Sequence, residues 1–303
     1  MKLAPIVLFV YNRPWHTQQT VEALQKNLLA KQSELFIFSD GPKDERGRKK
    51  VEEVRHHLRK ITGFKKITII ERRMNLGLAN SIIAGVTEIV NKYGKIIVLE
   101  DDLLTSPYFL KFMNEGLNFY EKEVKVACIH GYVYPVKKLP ETFFLKDPGC
   151  WGWATWKRGW KLFEPDENKL LTELNKKNLT FKFDYNNSYP FTNMLQDQKF
   201  GWADSWAIRW YASLFLKNKL TLYPKKSLVI HNGDDGSGTN SPITEQFKVN
   251  LSTQSIHIKD IPIKKSSSAL KEYIWYFKSI QSPHILRVGK KILRSLFRLL
   301  HYI

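Results

Sequence analysis

The first hundred residues alternate between short apolar runs and stretches of helical periodicity. Residues 5–10 are continuously apolar and stop at Tyr11-Asn12-Arg13-Pro14, which reads as a buried strand and a turn. A helix is expected over 17–29, with Val21, Leu24 and Leu28 on one face. The unit repeats. A strand over 34–39 ends at the turn Asp40-Gly41-Pro42, and a basic helix over 45–60 carries Val51, Val54 and Leu58 as its stripe. A third strand covers 67–71, and a helix over 78–90 turns Ile82, Val86, Ile89 and Val90 inward before Gly94 stops it. The fourth run, Ile96 to Leu99, leads straight into Glu100-Asp101-Asp102. Strands alternating with helices predict an α/β fold with a doubly wound, mostly parallel sheet.

After Leu103 the pattern loosens. It predicts a helix over 108–120, a strand over 124–130, a helix over 202–216 and a short strand over 228–231 before a Gly/Asp loop. The segment 149–160, dense in tryptophan and glycine, suits neither a regular helix nor a strand. A last helical region starts near Ser266. Read as a helix, 284–303 puts Arg287, Lys290, Lys291, Arg294 and Arg298 on one arc, with Ile285, Val288, Ile292, Leu296, Leu299 and Ile303 opposite. Such a face can dock on protein, and its basic side inclines the reading toward an anionic membrane surface. The division expected is a catalytic domain over 1–265, with a nucleotide-binding half (1–103) and an acceptor half (104–265), and a basic amphipathic tail over 266–303.

With 303 residues, 43% hydrophobic and 13% aromatic, the composition is globular and large enough for a substantial core. A net charge of +19 implies polyanionic company: nucleotide phosphates, nucleic acid or an anionic membrane. Two cysteines, Cys128 and Cys150, exclude a disulfide framework and a thiolate zinc cluster. No uncharged apolar stretch is long enough to span a bilayer.

Chemistry concentrates where strands end. Ligands of open α/β sheets sit beyond the carboxyl ends of the strands. Three adjacent carboxylates there repel one another unless a cation or hydrogen-bond donors offset them, and hard oxygen ligands suit Mg²⁺ or Mn²⁺ holding a phosphate; a solvated acidic turn is the plainer alternative. Arg13 could grip phosphate oxygens and Asp40 could accept from a base or ribose, or both could serve turn chemistry. Neither phosphate-cradling glycine motif is present. Trp151-Gly152-Trp153 could offer platforms for sugar rings, or pack in a core. Asp204, between Trp202 and Trp206, could be a general base with a raised pKa, or a helix cap. His231 could complete a metal site, or be an ordinary hydrogen-bonded residue.

Val-Leu-Glu-Asp-Asp-Leu within 97–103, Tyr11-Asn12-Arg13 after the first strand, Asp40 after the second, the Gly152-Trp153 region and 202–206 together resemble GT-A fold glycosyltransferases, the N-acetylglucosaminyltransferase I type and related bacterial sugar transferases. The resemblance covers about the first 245 residues. It implies Tyr11, Asn12, Arg13, Asp40 and Asp101 around the nucleotide, Asp102 on Mn²⁺ or Mg²⁺, and Asp204 as the base of an inverting reaction. Glu100, Trp151, Gly152, Trp153 and Trp202 would meet donor sugar or acceptor. The activity implied is transfer from a nucleotide diphosphate sugar, UDP-linked, to a saccharide hydroxyl, free or lipid-linked, in bacterial surface glycan assembly, with no nucleic acid partner. Because the first strand begins at the start of the chain, a cytoplasmic enzyme peripheral to the inner face of the membrane is expected. A sugar nucleotidyltransferase and a non-catalytic polyanion-binding protein are the alternatives.

Overall fold

The computed structural model describes residues 2–238 and 243–281. Its first half follows the apolar rhythm: β1 (Ile6–Val10), α1 (Pro14–Gln25), β2 (Glu34–Ser39), α2 (Glu45–Leu58), β3 (Lys66–Glu71), α3 (Leu78–Tyr93) and β4 (Lys95–Glu100). Side chains alternate across a strand. Ile6, Leu8 and Val10 accordingly join one apolar cluster while Val7 and Phe9 join another, so both faces of β1 are covered and its sequence shows no polar alternation. Local chemistry sets the helix ends. Pro14 occupies the first turn of α1, the Asp44 carboxylate accepts from Gly47 N–H at 2.8 Å to cap α2, and Gly94 closes α3 at φ +81°. Because α1 ends at Gln25, Leu28 leaves the helical face on which it was expected and is 56% exposed.

The second half contains β5 (Leu103–Thr105), α4 (Phe109–Phe119), β6 (Val126–His130), β7 (Thr142–Leu145), β8 (Trp153–Trp156), α5 (Lys157–Trp160), α6 (Glu167–Lys176), α7 (Thr180–Phe183), α8 (Phe191–Lys199), α9 (Trp206–Leu216), β9 (Leu220–Pro224), β10 (Val229–His231) and α10 (Ser267–Ser279). An eight-stranded sheet runs β3-β2-β1-β4-β8-β6-β9-β7. It is parallel from β3 to β4; beyond β4, β8 is antiparallel to both its neighbours, β6 and β9 are parallel, and β7 is antiparallel to β9. The α/β class with a large, mostly parallel sheet is thus the observed one.

The expectation of no regular element over 149–160 is overturned, since Trp153–Trp156 is the strand that joins the two halves of the sheet. Trp153 packs into the cluster on one face, and Ala154 and Trp156 into that on the other. Burial on both faces removes the alternation that would have announced a strand. The expected boundary after residue 265 falls just before α10, whose Ala269, Tyr273, Tyr276 and Phe277 are buried in an aromatic cluster with Phe143, Tyr185 and Tyr223. Within the described residues no helix is long and apolar enough to cross a membrane. The amphipathic tail over 284–303 lies outside the described residues.

Candidate active site

Parallel pairing puts the carboxyl ends of β1, β2 and β4 on one edge, with Val10 opposite Ser39 and Phe9 opposite Glu100. From β4 the chain turns through Asp101 and Asp102 into β5, and β5 pairs antiparallel with β10 so that Leu103 faces His231. This small second sheet delivers His231 to the acid cluster: its Nε2 lies 3.3 Å from Asp102 Oδ2, and its Nδ1 lies 3.1 Å from Asp234 Oδ1.

Arg13, just past β1, answers the acids. Its Nη2 donates to both Asp101 and Asp102, at 2.7 Å to the latter. Tyr11 N–H donates to Asp101 at 3.4 Å, and the Thr20 hydroxyl on α1 holds the Asp101 carbonyl at 2.8 Å. The second terminal guanidinium nitrogen, Arg13 Nη1, is shielded from solvent and has no hydrogen-bond partner among the described residues. It is a donor available to a further anion.

The electrostatics separate the three carboxyls. Burial, reinforced by Asp102 and Asp101, pushes Glu100 up to about 8. Burial also raises Asp101, against the pull of Arg13. At Asp102 burial acts upward as well, but the hydrogen bond and charge of His231, together with Arg13, outweigh it and hold the group down at about 2. Burial alone would lower His231; Asp102 and Asp234 outweigh it and raise it.

Among the described residues no group of three or more histidine, cysteine, aspartate or glutamate side chains is arranged to hold a metal ion. A pair does fit one. An octahedral cation with bonds of about 2.1 Å places adjacent ligands about 3 Å apart, and the Asp102–His231 separation of 3.3 Å matches such an edge. Asp234 on the second imidazole nitrogen is the carboxylate–histidine arrangement that orients metal-binding histidines. Mg²⁺ and Mn²⁺ sites commonly take only one or two protein ligands and the rest from phosphate and water.

Other expected residues lie elsewhere or act differently. The Asp40 carboxylate is taken up by backbone N–H groups, those of Gly41 and Leu76 at 3.0 Å on Oδ1 and that of Gly77 at 3.0 Å on Oδ2; it fixes the loop over 72–77 ahead of α3. Asn12 is half-buried in the bend after β1. Trp151 is at the site, its ring stacked on His231 at 4.5 Å and 10°. Trp153 is fully buried and stacks on Trp206 in the core, away from any platform role. Gly152, at φ +69°, lies where a Cβ would strike Val229 and Phe109, so it serves close packing. Trp202 is 45% exposed in the turn before α9. Asp204 is not the cap of α9, since Ser205 takes that place. Nor is it in apolar surroundings: its side chain is 61% exposed and paired with Arg209 at 2.7 Å.

The structure adds residues that periodicity could not single out. Asp234 orients His231, Thr20 fixes the Asp101 backbone, and His16 on α1 meets Asp235 of the loop after β10 at 3.1 Å. The one available signal was the polar density of His231-Asn232-Gly233-Asp234-Asp235.

No family model and no curated protein matches the chain. Solved structures similar in shape include the mannosyltransferase PcManGT from Pyrobaculum calidifontis in complex with GDP-Man and Mn²⁺, at 11% identity over 44% of this chain and 36% of that one, TM-score 0.34. S. aureus TarS 1-349 aligns at 12% identity over 55% of this chain and 49% of that one, TM-score 0.34. A UDP-glucose pyrophosphorylase complexed with UDP-glucose aligns at 10% identity over 73% of this chain and 90% of that one, TM-score 0.37. This chain therefore spans less than half the length of the first two.

Proposed function

We propose that the protein is a glycosyltransferase that moves a sugar from a nucleotide diphosphate donor, UDP-linked, to a saccharide hydroxyl with inversion. The observation that carries the reading is Arg13: Nη2 ties Asp101 and Asp102 together, and Nη1 is buried without a partner among the described residues, beside the Asp102–His231 pair. A diphosphate would meet both needs at once: its oxygens would accept from Arg13 Nη1, and Asp102 and His231 would hold the cation that accompanies it. Tyr11, Asn12 and Asp101 border the nucleotide, and Asp40 contributes through the loop it holds. Mn²⁺ or Mg²⁺ on Asp102 and His231 would supply Lewis-acid stabilisation of the departing diphosphate charge.

Chemically, the acceptor oxygen bonds to the anomeric carbon, the bond from that carbon to the diphosphate oxygen breaks, and the acceptor proton passes to a carboxylate. Asp204 is assigned that proton. Its exposed carboxylate can meet a saccharide from solvent, with Arg209 fixing its orientation. Trp151 keeps the His231 ring in place, and Glu100 and Trp202 remain for sugar and acceptor contacts. A lipid-linked acceptor of a surface glycan would suit the net charge of +19.

The test is a thermal-shift panel of nucleoside diphosphates and nucleotide sugars with and without Mn²⁺, since a ligand of the folded state raises its apparent stability. A Mn²⁺-dependent shift with one base, followed by transfer of the matching sugar to a saccharide, is the expected result. No shift with any nucleotide would overturn the proposal. Formation of nucleotide sugar from nucleoside triphosphate and sugar phosphate would replace it with nucleotidyl transfer.

A further inference from the structure

The backbone on both sides of the Asn232 side chain is pinned to the acid cluster. Asn232 N–H donates to the Asp102 carbonyl at 2.9 Å. His231 before it reaches the Asp102 carboxylate, and Gly233 after it lies so close that an added Cβ would collide with the same carboxylate. Three consecutive residues are therefore held against Asp102.

The Asn232 amide itself is unused. Both its Oδ1 and its Nδ2 are shut off from solvent, and neither has a hydrogen-bond partner among the described residues. Buried side-chain amides normally find partners, and one that does not calls for a specific reason. Packing is a poor reason here, because an apolar side chain of the same size would fill the space without leaving two polar atoms unpaired.

The chemistry of the amide selects what it can bind. It presents N–H donors on one side and a carbonyl acceptor on the other. A phosphate oxygen only accepts, which leaves Oδ1 unpaired. A metal-bound water only donates, which leaves Nδ2 unpaired. Hydroxyls donate and accept, so a sugar ring carrying neighbouring hydroxyls satisfies both ends. We infer that Asn232 is a specificity-determining residue that binds ring hydroxyls of the donor's sugar, beside the diphosphate position. The inference rests on the nucleotide-sugar reading given above and adds the residue that reads the sugar.

The experiment compares wild type with Asn232→Ala, Asn232→Leu and Asn232→Ser by thermal shift in Mn²⁺. The probes are the nucleoside diphosphate alone, the matching nucleotide hexose, and its analogues lacking one ring hydroxyl each. All four proteins are expected to keep the diphosphate shift, which also reports an intact fold. In wild type, removal of one particular hydroxyl should weaken binding by about tenfold or more, the scale of losing one hydrogen bond and leaving its partner unpaired. Asn232→Ala and Asn232→Leu should bind the parent and that analogue alike, while Asn232→Ser should keep part of the discrimination. Discrimination unchanged in Asn232→Ala and Asn232→Leu, with the diphosphate shift intact, overturns the role of Asn232 and leaves the proposed function standing. A wild type that responds to no nucleoside diphosphate overturns the proposed function and this contact with it.

Discussion

His231 Nε2 stands 3.3 Å from Asp102 Oδ2 because β10 pairs with β5 in the register that sets His231 opposite Leu103. Asp102 lies in the turn between β4 and β5, and His231 ends β10, more than a hundred residues further along the chain. The site is therefore a product of tertiary pairing. Asp102 is placed by the end of β4, whereas His231 depends on the β5–β10 pairing, and a shift of one residue in that register would turn its side chain to the other face of the sheet.

Asp102→Asn and His231→Gln should each remove the Mn²⁺-dependent part of the nucleotide shift and leave the protein folded, because a neutral amide is a poor ligand for a hard cation. Proton and cation compete for the imidazole. Since Asp102 and Asp234 raise His231, the apparent Mn²⁺ affinity of wild type should fall as pH drops below neutrality. Titration of Mn²⁺ at fixed nucleotide measures both effects. Equal Mn²⁺ affinity in wild type and His231→Gln would remove the histidine from the site.

Arg13→Met should destabilise the fold by about 3–5 kcal/mol, the scale of leaving buried charges without their counter-ion. Both carboxylates it serves are largely buried, and without Arg13 they would face each other and Glu100. Arg13→Lys should recover part of the loss, since a lysine supplies charge without the planar fork. Denaturant unfolding measures the difference. A cost below about 1 kcal/mol would place this cluster in the weak class of surface ion pairs.

Asp204→Asn should leave the nucleotide shift untouched and lower kcat by about 10²–10⁴, the range of general acid–base groups. Normal turnover would reduce Asp204 to a surface partner of Arg209 and send the search for a base to another carboxylate.

The parts of this molecule legible in its sequence are those whose burial is one-dimensional. β1, β2 and β4 are continuous apolar runs because helices cover both sheet faces, and their turn residues mark the ends where Arg13 and the acids stand. The position of Asp102 follows directly. Trp153–Trp156 was illegible as a strand because a tryptophan–glycine neighbourhood carries no periodicity when every side chain is buried. Asp204 was misjudged from its aromatic neighbours in sequence: Trp206 turns into the core on α9, while Asp204, outside the helix, turns to solvent and Arg209. Asp40 stands at a strand end as expected, but two of the three backbone N–H groups that occupy its carboxylate come from a loop over thirty residues further on. Hydrogen bonds of that kind leave no trace in composition or spacing.

Two buried groups beyond the site should give opposing pH effects that hide each other. Burial pushes Asp147 up to about 6, against hydrogen bonds from Gly149 N–H and the Tyr185 hydroxyl. Its folded pKa lies above the unfolded value, so the unfolded chain loses this proton first, and stability falls as pH rises from about 4 to 6. Burial pushes His130 down to about 3, and the Trp151 N–H that donates to its Nε2 holds that nitrogen as an unprotonated acceptor. The folded state keeps His130 neutral while the unfolded chain is protonated below about 6.5, so stability rises with pH through the same window. Each group fully out of step contributes a slope of about 1.4 kcal/mol per pH unit, and the signs are opposite. Asp147→Asn should therefore make stability rise more steeply between pH 4 and 6 than in wild type, and should leave the variant the more stable of the two at pH 7. His130→Gln should make stability fall over that interval relative to wild type. Chemical denaturation at half-unit steps from pH 4 to 6 measures both slopes. Two variants whose slopes match that of wild type would show that neither group is held away from its ordinary titration by burial.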